Sequence, residues 1–193
     1  LDRDGDLDLW VVNYVDADRT HLPYCGDSKT NTRFYCHPLK YDPLSSTVYR
    51  NDGGTFTDVT AASGVAALRG NGLGVVIADY DGDGWPDVFV ANDTMPNFLF
   101  HNNGKFTFTE AALASGIALA ADGKARAGMG IDAGDYDGDG RLDIAITNLD
   151  FEMHSLYRGL DHGLFADATG ESGIGFPTLP FVGFGVNFLD YDN

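Results

Sequence analysis

The stretch Asp79-Tyr80-Asp81-Gly82-Asp83-Gly84-Trp85-Pro86-Asp87 places aspartates at positions 1, 3, 5 and 9 of a short loop, with a glycine at position 6. An apolar run, Val88-Phe89-Val90-Ala91, follows this loop directly. A run of β-branched and aromatic residues after a glycine-rich turn is typical of a buried β-strand. The stretch therefore predicts an acidic loop that leads into a strand.

The same pattern occurs at three other places in the chain. A second complete copy covers 135–143, a copy that lacks its first position covers 2–8, and a further copy begins at Asp190. The first positions Asp79, Asp135 and Asp190 are 56 and 55 residues apart. A constant period of this size is typical of proteins built from repeated structural units.

Each complete repeat contains four short apolar segments, one before the acidic loop and three after it. Four strands per unit predict an all-β fold, a partial β-propeller of four-stranded blades with cation-binding loops between strands. We expect three repeats, at 1–73, 74–129 and 130–184, and part of a fourth at 185–193. A β-sandwich is the competing all-β architecture, but sandwiches rarely repeat their sequence.

The sequence also predicts where two sets of side chains outside the acidic loops lie. One phenylalanine recurs at the same place in each repeat, and we expect these three side chains in the core: Phe56, Phe106 and Phe165. The five histidines show no zinc-type spacing, so we expect them at surface or strand positions. They are His21, His37, His101, His154 and His162.

The first repeat carries an insertion at about residues 16–39 that is polar and rich in turn residues. It contains Cys25 and Cys36, the two cysteines of the chain, whose spacing does not match a structural zinc site. Two interpretations stay open, a disulfide or two unrelated reduced thiols, and a disulfide would imply an oxidising compartment. The insertion is either a binding loop or a tolerated surface insertion.

The formal net charge is −17, and the acidic residues are concentrated rather than scattered, because 14 of the 29 lie in the four loop copies. Divalent cations would neutralise this charge, whereas nucleic acid requires basic patches and is not an expected partner. No membrane span, signal peptide, nucleophile elbow or phosphate-binding loop is recognisable. Because the chain begins within a loop copy, we expect it to be an internal piece of a longer protein.

Calcium is the cation that this arrangement of oxygens predicts, since it takes six to eight oxygen ligands. Alternate side chains at positions 1, 3 and 5 converge, the glycine permits the sharp turn, and the carbonyl at position 7 and the aspartate at 9 complete the set. The predicted metal ligands are Asp79, Asp81, Asp83, Trp85 and Asp87; Asp135, Asp137, Asp139, Arg141 and Asp143; Asp2, Asp4, Asp6 and Asp8; and Asp190 and Asp192.

The loops are not EF-hands, because an EF-hand needs a bidentate glutamate at position 12 within a helix–loop–helix unit. Position 12 is instead apolar in every copy that reaches it, namely Val11, Val90 and Ile146. Two other interpretations of the carboxylates remain, an acidic turn that only caps a hairpin and a pair of glycosidase-type acids. Acids at two-residue spacing in one loop are more typical of metal ligands.

The pattern Asp-x-Asp-x-Asp-Gly-x-x-Asp between strands resembles the FG-GAP/VCBS repeat of integrin-α-type β-propellers, over essentially the whole chain. Other segments resemble the secreted, ASPIC/UnbV-associated, cartilage acidic protein-like group; they are 49–51, 72–76, 91–97, 127–130 and the insertion from Cys25 to Pro38. The resemblance implies a propeller of about seven blades, with calcium bound through loop positions 1, 3, 5 and 9.

We therefore expect an extracellular module (secreted, cell-surface or periplasmic) that binds calcium and is not an enzyme. It would serve as a structural or adhesion scaffold whose blade loops bind a protein or glycan ligand. The alternative is an accessory propeller of a larger secreted enzyme that acts on polysaccharide, because a fold does not fix a function.

Overall fold

The structure is a computed structural model that describes residues 1–18 and 20–191, and it is an all-β protein, as predicted. Two short helices are present, α1 (Ala112–Ser115) and α2 (Gly175–Thr178), with 3-10 turns at Pro38–Lys40, Val65–Ala67 and Asp161–Gly163. The strands are β1 Leu9–Val11, β2 Val15–Asp16, β3 Gly26–Asp27, β4 Thr32–Arg33, β5 Asp42–Pro43, β6 Thr47–Asn51, β7 Phe56–Asp58, β8 Gly72–Ala78, β9 Asp87–Asn92, β10 Phe98–Asn102, β11 Phe108–Glu110, β12 Ile131–Gly134, β13 Asp143–Ile146, β14 Ser155–Gly159 and β15 Phe165–Asp167.

The larger sheets follow the repeats along the chain and are antiparallel meanders. Blade one has the strand order β1-β6-β7, blade two β8-β9-β10-β11 and blade three β12-β13-β14-β15. The acidic loop joins the first two strands of blades two and three and precedes β1 in blade one. We call the loops at 2–8, 79–87 and 135–143 loops one, two and three. This topology is that of consecutive propeller blades, in agreement with the predicted fold.

Blade two is buried on both faces because it lies between the other two blades. Along β9, Val88 and Val90 contact blade one, whereas Phe89 and Ala91 contact blade three. Every residue of β9 is therefore buried, and its central residues, Val88 to Ala91, form a continuous apolar run. The core between blades one and two consists of Trp10, Val48, Val65, Val88, Val90, Phe100 and Phe106. The core between blades two and three contains Phe89, Ala91, Leu99, Ala112, Ile117, Ala118, Ile144, Ile146, Tyr157 and Phe165.

Glycines let the first strands of neighbouring repeats approach closely. A Cβ atom on Gly74 of β8 would lie 2.3 Å from the carbonyl oxygen of Met129, next to β12. One repeat later, a Cβ on Gly130 would lie 2.8 Å from the Cα of Gly185. Equivalent positions of successive repeats are thus stacked backbone against backbone, where no side chain fits.

The expectation that all three recurrent phenylalanines belong to the core is wrong for Phe56. Phe106 and Phe165 are buried, but 51% of Phe56 is exposed. Phe56 lies on β7, the outer strand of blade one, whose residues are all exposed. Phe106 reaches the core through a left-handed backbone, with φ of 56°, so β11 begins only at Phe108.

Part of a fourth repeat is expected at 185–193, but none of the described residues 185–191 is in a strand. This segment instead lies along blade three without pairing in its sheet. The amide of Phe188 donates to Asp132 Oδ2 at 2.7 Å, and its ring covers Gly134. The boundaries of the three repeats and of the partial fourth repeat stay a prediction.

The insertion is stapled by a disulfide between Cys25 and Cys36, whose Cα atoms are 5.3 Å apart. This resolves the open choice in favour of the disulfide. Inside the staple, β3 and β4 form a small hairpin, and at the base of the insertion β2 pairs with β5. None of the helices among the described residues has the length and apolar character required to cross a membrane.

Candidate metal centre

The first aspartate of loop two organises the turn around itself. Asp79 Oδ1 accepts from the amide of Gly82 at 2.9 Å, and its Oδ2 accepts from the amide of Gly84 at 2.8 Å. Gly82 and Gly84 both have positive φ, at 76° and 87°, which glycine adopts without steric cost. The glycines at positions 4 and 6 thus wrap the loop around the carboxylate at position 1.

The last aspartate of loop two, Asp87, is completely buried at the start of β9. Its oxygens accept from two amides, that of Asn102 at 2.7 Å and that of Tyr80 at 3.3 Å. Burial nevertheless raises the pKa of the Asp87 carboxyl to about 6, because the two amides offset only part of the lost hydration. The site therefore holds a carboxylate that a nearby cation would stabilise.

Loop three repeats this arrangement with the same geometry. Asp135 accepts from the amides of Gly138 and Gly140, each at 2.8 Å. Asp143 is completely buried and accepts from the amides of Tyr136 and Gly159, each at 2.8 Å. The amide of Gly140 lowers the pKa of Asp135, whereas burial raises the pKa of Asp143. Two distant stretches of sequence thus build the same cluster.

Three groups of side chains place their ligand atoms within 4.8 Å of one another. They are Asp79, Asp81 and Asp87; Asp135, Asp137 and Asp143; and Asp81, Asp83 and His101. Two oxygens bound to one calcium ion at 2.3–2.6 Å are at most about 5 Å apart, so the spacing fits one ion per group. The all-oxygen chemistry of the first two groups also fits calcium, and the calcium prediction is retained as a proposal below.

The predicted ligands at positions 5 and 7 of loop three are placed differently. Asp139 forms an ion pair with the Arg141 guanidinium, which also contacts Asp161 at 3.2 Å. The amide of Arg141 donates to Asp139 Oδ1 at 2.9 Å, and the amide of Trp85 donates likewise to Asp83 at 2.7 Å. Arg141 would therefore compete with any cation for Asp139.

The ligands predicted in loop one make other contacts. Asp8 accepts from the amide of Asn51 at 3.0 Å, and Asp6 accepts from the amide of Gly53 at 2.8 Å. Asp2 and Asp4 each accept from the amide two residues further along the chain. Within the described part of the chain, loop one provides no group of three side chains like those of loops two and three.

The fourth copy of the loop is only partly described. Asp190 lines a cavity of about 440 Å³ together with Asp135 and Tyr136 of loop three. It is therefore next to loop three. Asp192, also a predicted ligand, lies outside the described residues.

His101 is the member of these groups that sequence reasoning missed. Its Nδ1 lies 3.3 Å from Asp81 and 3.4 Å from Asp87, and its ring packs edge-on against Tyr80. The signal was in the strand register. Because Phe100 pairs with Val88, the next residue of β10 falls opposite Asp87.

Comparisons with known proteins agree with the repeats and the loops. The profile of the FG-GAP-like repeat family matches residues 1–90 and 79–146. Cartilage acidic protein 1 of Homo sapiens is 37% identical over 119 residues, which are 62% of this chain and 17% of that protein. The Mus musculus protein of the same name is 35% identical over the same shares, and the Xenopus tropicalis protein is 32% identical over 48% of this chain and 13% of its own length.

The chain thus spans less than a fifth of the length of these relatives. The family match, by contrast, covers more than half of the chain, including all of loops one, two and three. The chain belongs to the FG-GAP-like repeat family and is related to cartilage acidic protein 1.

Proposed function

We propose that this chain is a non-catalytic, extracellular scaffold whose loops two and three each bind one calcium ion. The observation that carries the proposal is the repeated cluster, in which a hydrogen-bonded turn brings three carboxylates within the coordination distance of one ion. The proposed ligands are Asp79, Asp81, Asp83, Asp87 and the carbonyl of Trp85 in loop two, and Asp135, Asp137, Asp139, Asp143 and the carbonyl of Arg141 in loop three.

Electrostatics supports a bound cation. Carboxylates this close repel each other when all are ionised, and the chain already carries a net charge of −17. Asp87 and Asp143 add the cost of removing a carboxylate from water. A divalent ion offsets both costs, and it joins the two strands that flank each loop.

Two further observations support an extracellular role. The insertion is closed by a disulfide, which persists in oxidising compartments. The matched relatives are named for cartilage and for their acidic character, and this chain shares the acidity. We propose that calcium fixes the blade loops and that the loops or the insertion bind a protein or glycan ligand.

Isothermal titration of the metal-free protein with calcium tests the proposal. We expect two sites in the wild type, one in Asp81→Asn, one in Asp137→Asn and none in the double variant. Asp122→Asn is the matched control, because Asp122 is exposed, lies outside the loops and pairs with Arg126; it should retain two sites. Absence of calcium binding in the wild type, or binding that survives in the double variant, would overturn the proposal.

Calcium should stabilise the protein strongly at pH 7.5 and much less at pH 5. The pKa of Asp87 is raised to about 6, so the folded metal-free protein retains a proton that the unfolded chain loses near pH 4. The stability of the metal-free protein therefore falls as the pH rises from the unfolded-state pKa to the folded-state pKa of Asp87. Over the same range the ionised carboxylate needed for calcium becomes available. At 100 times Kd, each site contributes about 2.7 kcal/mol at pH 7.5.

Thermal unfolding with and without saturating calcium at both pH values measures this difference. The Asp81→Asn/Asp137→Asn double variant is the control and should show no calcium-dependent shift in Tm at either pH. An equal shift at pH 5 and pH 7.5 in the wild type would contradict the assignment of Asp87 as a ligand.

A further inference from the structure

Loop two contacts a turn of the next blade. This turn covers residues 160–164 between β14 and β15, and we call it the shared turn. A Cβ atom on Gly163 would lie 2.6 Å from Tyr80 Cε2 and 3.1 Å from Asp81 Cβ. The ring of Tyr80 also stacks on Phe165, the first residue of β15, with ring centroids 6.1 Å apart. The position of the shared turn therefore depends on loop two.

Loop three contacts the same turn from within blade three. The amide of Gly159, the residue before the turn, donates to Asp143 at 2.8 Å, and the Gly159 carbonyl accepts from Arg141 Nε at 3.2 Å. Within the turn, Asp161 pairs with Arg141 at 3.2 Å. Residues of both loops and of the shared turn line one cavity of about 290 Å³. The shared turn thus connects the two proposed calcium sites.

The backbone of the shared turn is strained. His162 has a φ of 64° and Gly163 a φ of 66°, so two consecutive residues are in the left-handed region. Glycine adopts this conformation freely, whereas histidine rarely does. Such strain persists only where the surrounding structure enforces it. We therefore expect the turn to respond to the order of the loops that contact it.

Arg141 has two acidic partners on different elements. Its guanidinium pairs with Asp139 of loop three, a proposed calcium ligand, and with Asp161 of the shared turn. When Asp139 binds calcium, the arginine loses this partner but keeps Asp161 and the carbonyl of Gly159. An arginine side chain is always charged and is stabilised by such partners. Asp161 is therefore placed to hold Arg141 while Asp139 is occupied by the ion.

This competition is specific to loop three. The residue at loop position 7 is Leu7 in loop one and Trp85 in loop two, and neither carries a charge. The Trp85 indole instead packs on the equivalent turn of blade two, where a Cβ atom on Gly104 would lie 3.1 Å from Trp85 Cζ2. Of the two proposed calcium sites, therefore, loop three has an arginine that competes for a ligand and loop two does not.

We propose that Arg141 weakens calcium binding at loop three and that calcium at loop two relieves this effect through the shared turn. The inference rests on the proposed calcium sites and adds a regulation to them. An ordered loop two fixes Gly163, and with it Asp161, in the position that draws Arg141 away from Asp139. Because coupling between two binding sites is reciprocal, calcium at loop three strengthens binding at loop two by the same factor.

Calcium titrations of the wild type and of two single-site variants measure the coupling. Asp81→Asn and Asp137→Asn each retain one site and keep the shape of the replaced side chain. For independent sites, the product of the two wild-type dissociation constants equals the product of the constants of the two variants. We expect the wild-type product to be about five-fold smaller, at the lower end for coupled sites, because both ion pairs of Arg141 are partly exposed.

Three further variants test the route of the coupling, each combined with the same two single-site changes. Arg141→Leu introduces the residue type of loop one; it should tighten calcium binding in the Asp81→Asn protein and remove the five-fold factor. Asp161→Asn should also remove the factor, but it should weaken binding at loop three. Glu171→Gln is the matched control, because it breaks the pair of Glu171 with Arg158, at 3.3 Å in the same blade, and it should keep the factor.

The outcomes separate this inference from the calcium proposal. Two calcium sites with equal products in the wild type would overturn the inference and leave the calcium proposal intact. A five-fold factor that survives in both Arg141→Leu and Asp161→Asn would overturn the inference as well. Absence of calcium binding in the wild type would overturn both.

Discussion

Asp143→Ala should destabilise the protein by about 3 kcal/mol in the absence of calcium. The Asp143 carboxylate is completely buried and is the acceptor for the amides of Tyr136 and Gly159. Removal of the carboxylate leaves both amides unsatisfied, at about 1–3 kcal/mol each. Part of this cost is offset because burial disfavours the ionised carboxylate, as the raised pKa of Asp143 indicates.

Asp137→Ala is the matched control, since Asp137 belongs to the same metal-binding group but is exposed. Both variants should lose the calcium site of loop three. In a chelator, however, only Asp143→Ala should have a lowered free energy of unfolding, as measured by denaturant titration. Equal stability of the two variants in the chelator would show that Asp143 acts only as a ligand and not as a hydrogen-bonding anchor of the loop.

This distinction explains why the loop motif was predictable and the roles within it were not. The sequence places the aspartates of loop two at positions 1, 3, 5 and 9, which is sufficient to predict a cation site. It does not reveal that Asp87 is buried between Tyr80 and Asn102, because Asn102 comes from a different strand. The burial of a ligand depends on strand pairing, which short-range spacing does not determine.

His101 and Arg141 are two further residues whose side-chain contacts the sequence pattern does not reveal. His101 has no partner at metal-ligand spacing in the sequence, yet the pairing of β9 with β10 brings it to Asp87. Arg141 was predicted as a ligand through its carbonyl, but its side chain pairs with Asp139. The contact of His101 arises across the blade, whereas Arg141 and Asp139 are two residues apart in one loop, where the spacing alone does not show that the two side chains pair.

Phe56 shows where burial cannot be inferred from the sequence repeat. Phe106 and Phe165 are buried because their blades are packed against a neighbouring sheet, and Phe56 has the same place in its repeat. Its side chain is exposed on the outer strand of blade one. A repeated sequence predicts equal burial only where each unit has equivalent neighbours, because each unit contacts only the adjacent ones.

Gly74→Ala should have the second large effect, a loss of about 3 kcal/mol in the free energy of unfolding. The added Cβ would lie 2.3 Å from the Met129 carbonyl oxygen, 3.0 Å from Ile131 Cγ2 and 3.2 Å from the Ile131 amide nitrogen. Two of these atoms are backbone, so no side-chain rotation relieves the clash. Overpacking in a well-packed interior costs 1–3 kcal/mol, and we expect the upper end because blades two and three must separate.

Gly170→Ala is the control for the loss of a glycine as such. Nothing lies within 4 Å of a Cβ at Gly170, and its backbone is outside the left-handed region. The free energy of unfolding of Gly170→Ala should therefore differ from that of the wild type by no more than about 0.5 kcal/mol. Denaturant unfolding followed by tryptophan fluorescence, to which Trp10 of blade one and Trp85 of loop two both contribute, compares the two variants. If Gly74→Ala were as stable as Gly170→Ala, the first strands of blades two and three could not be in backbone contact, and the stacking of successive repeats along these glycines would be wrong.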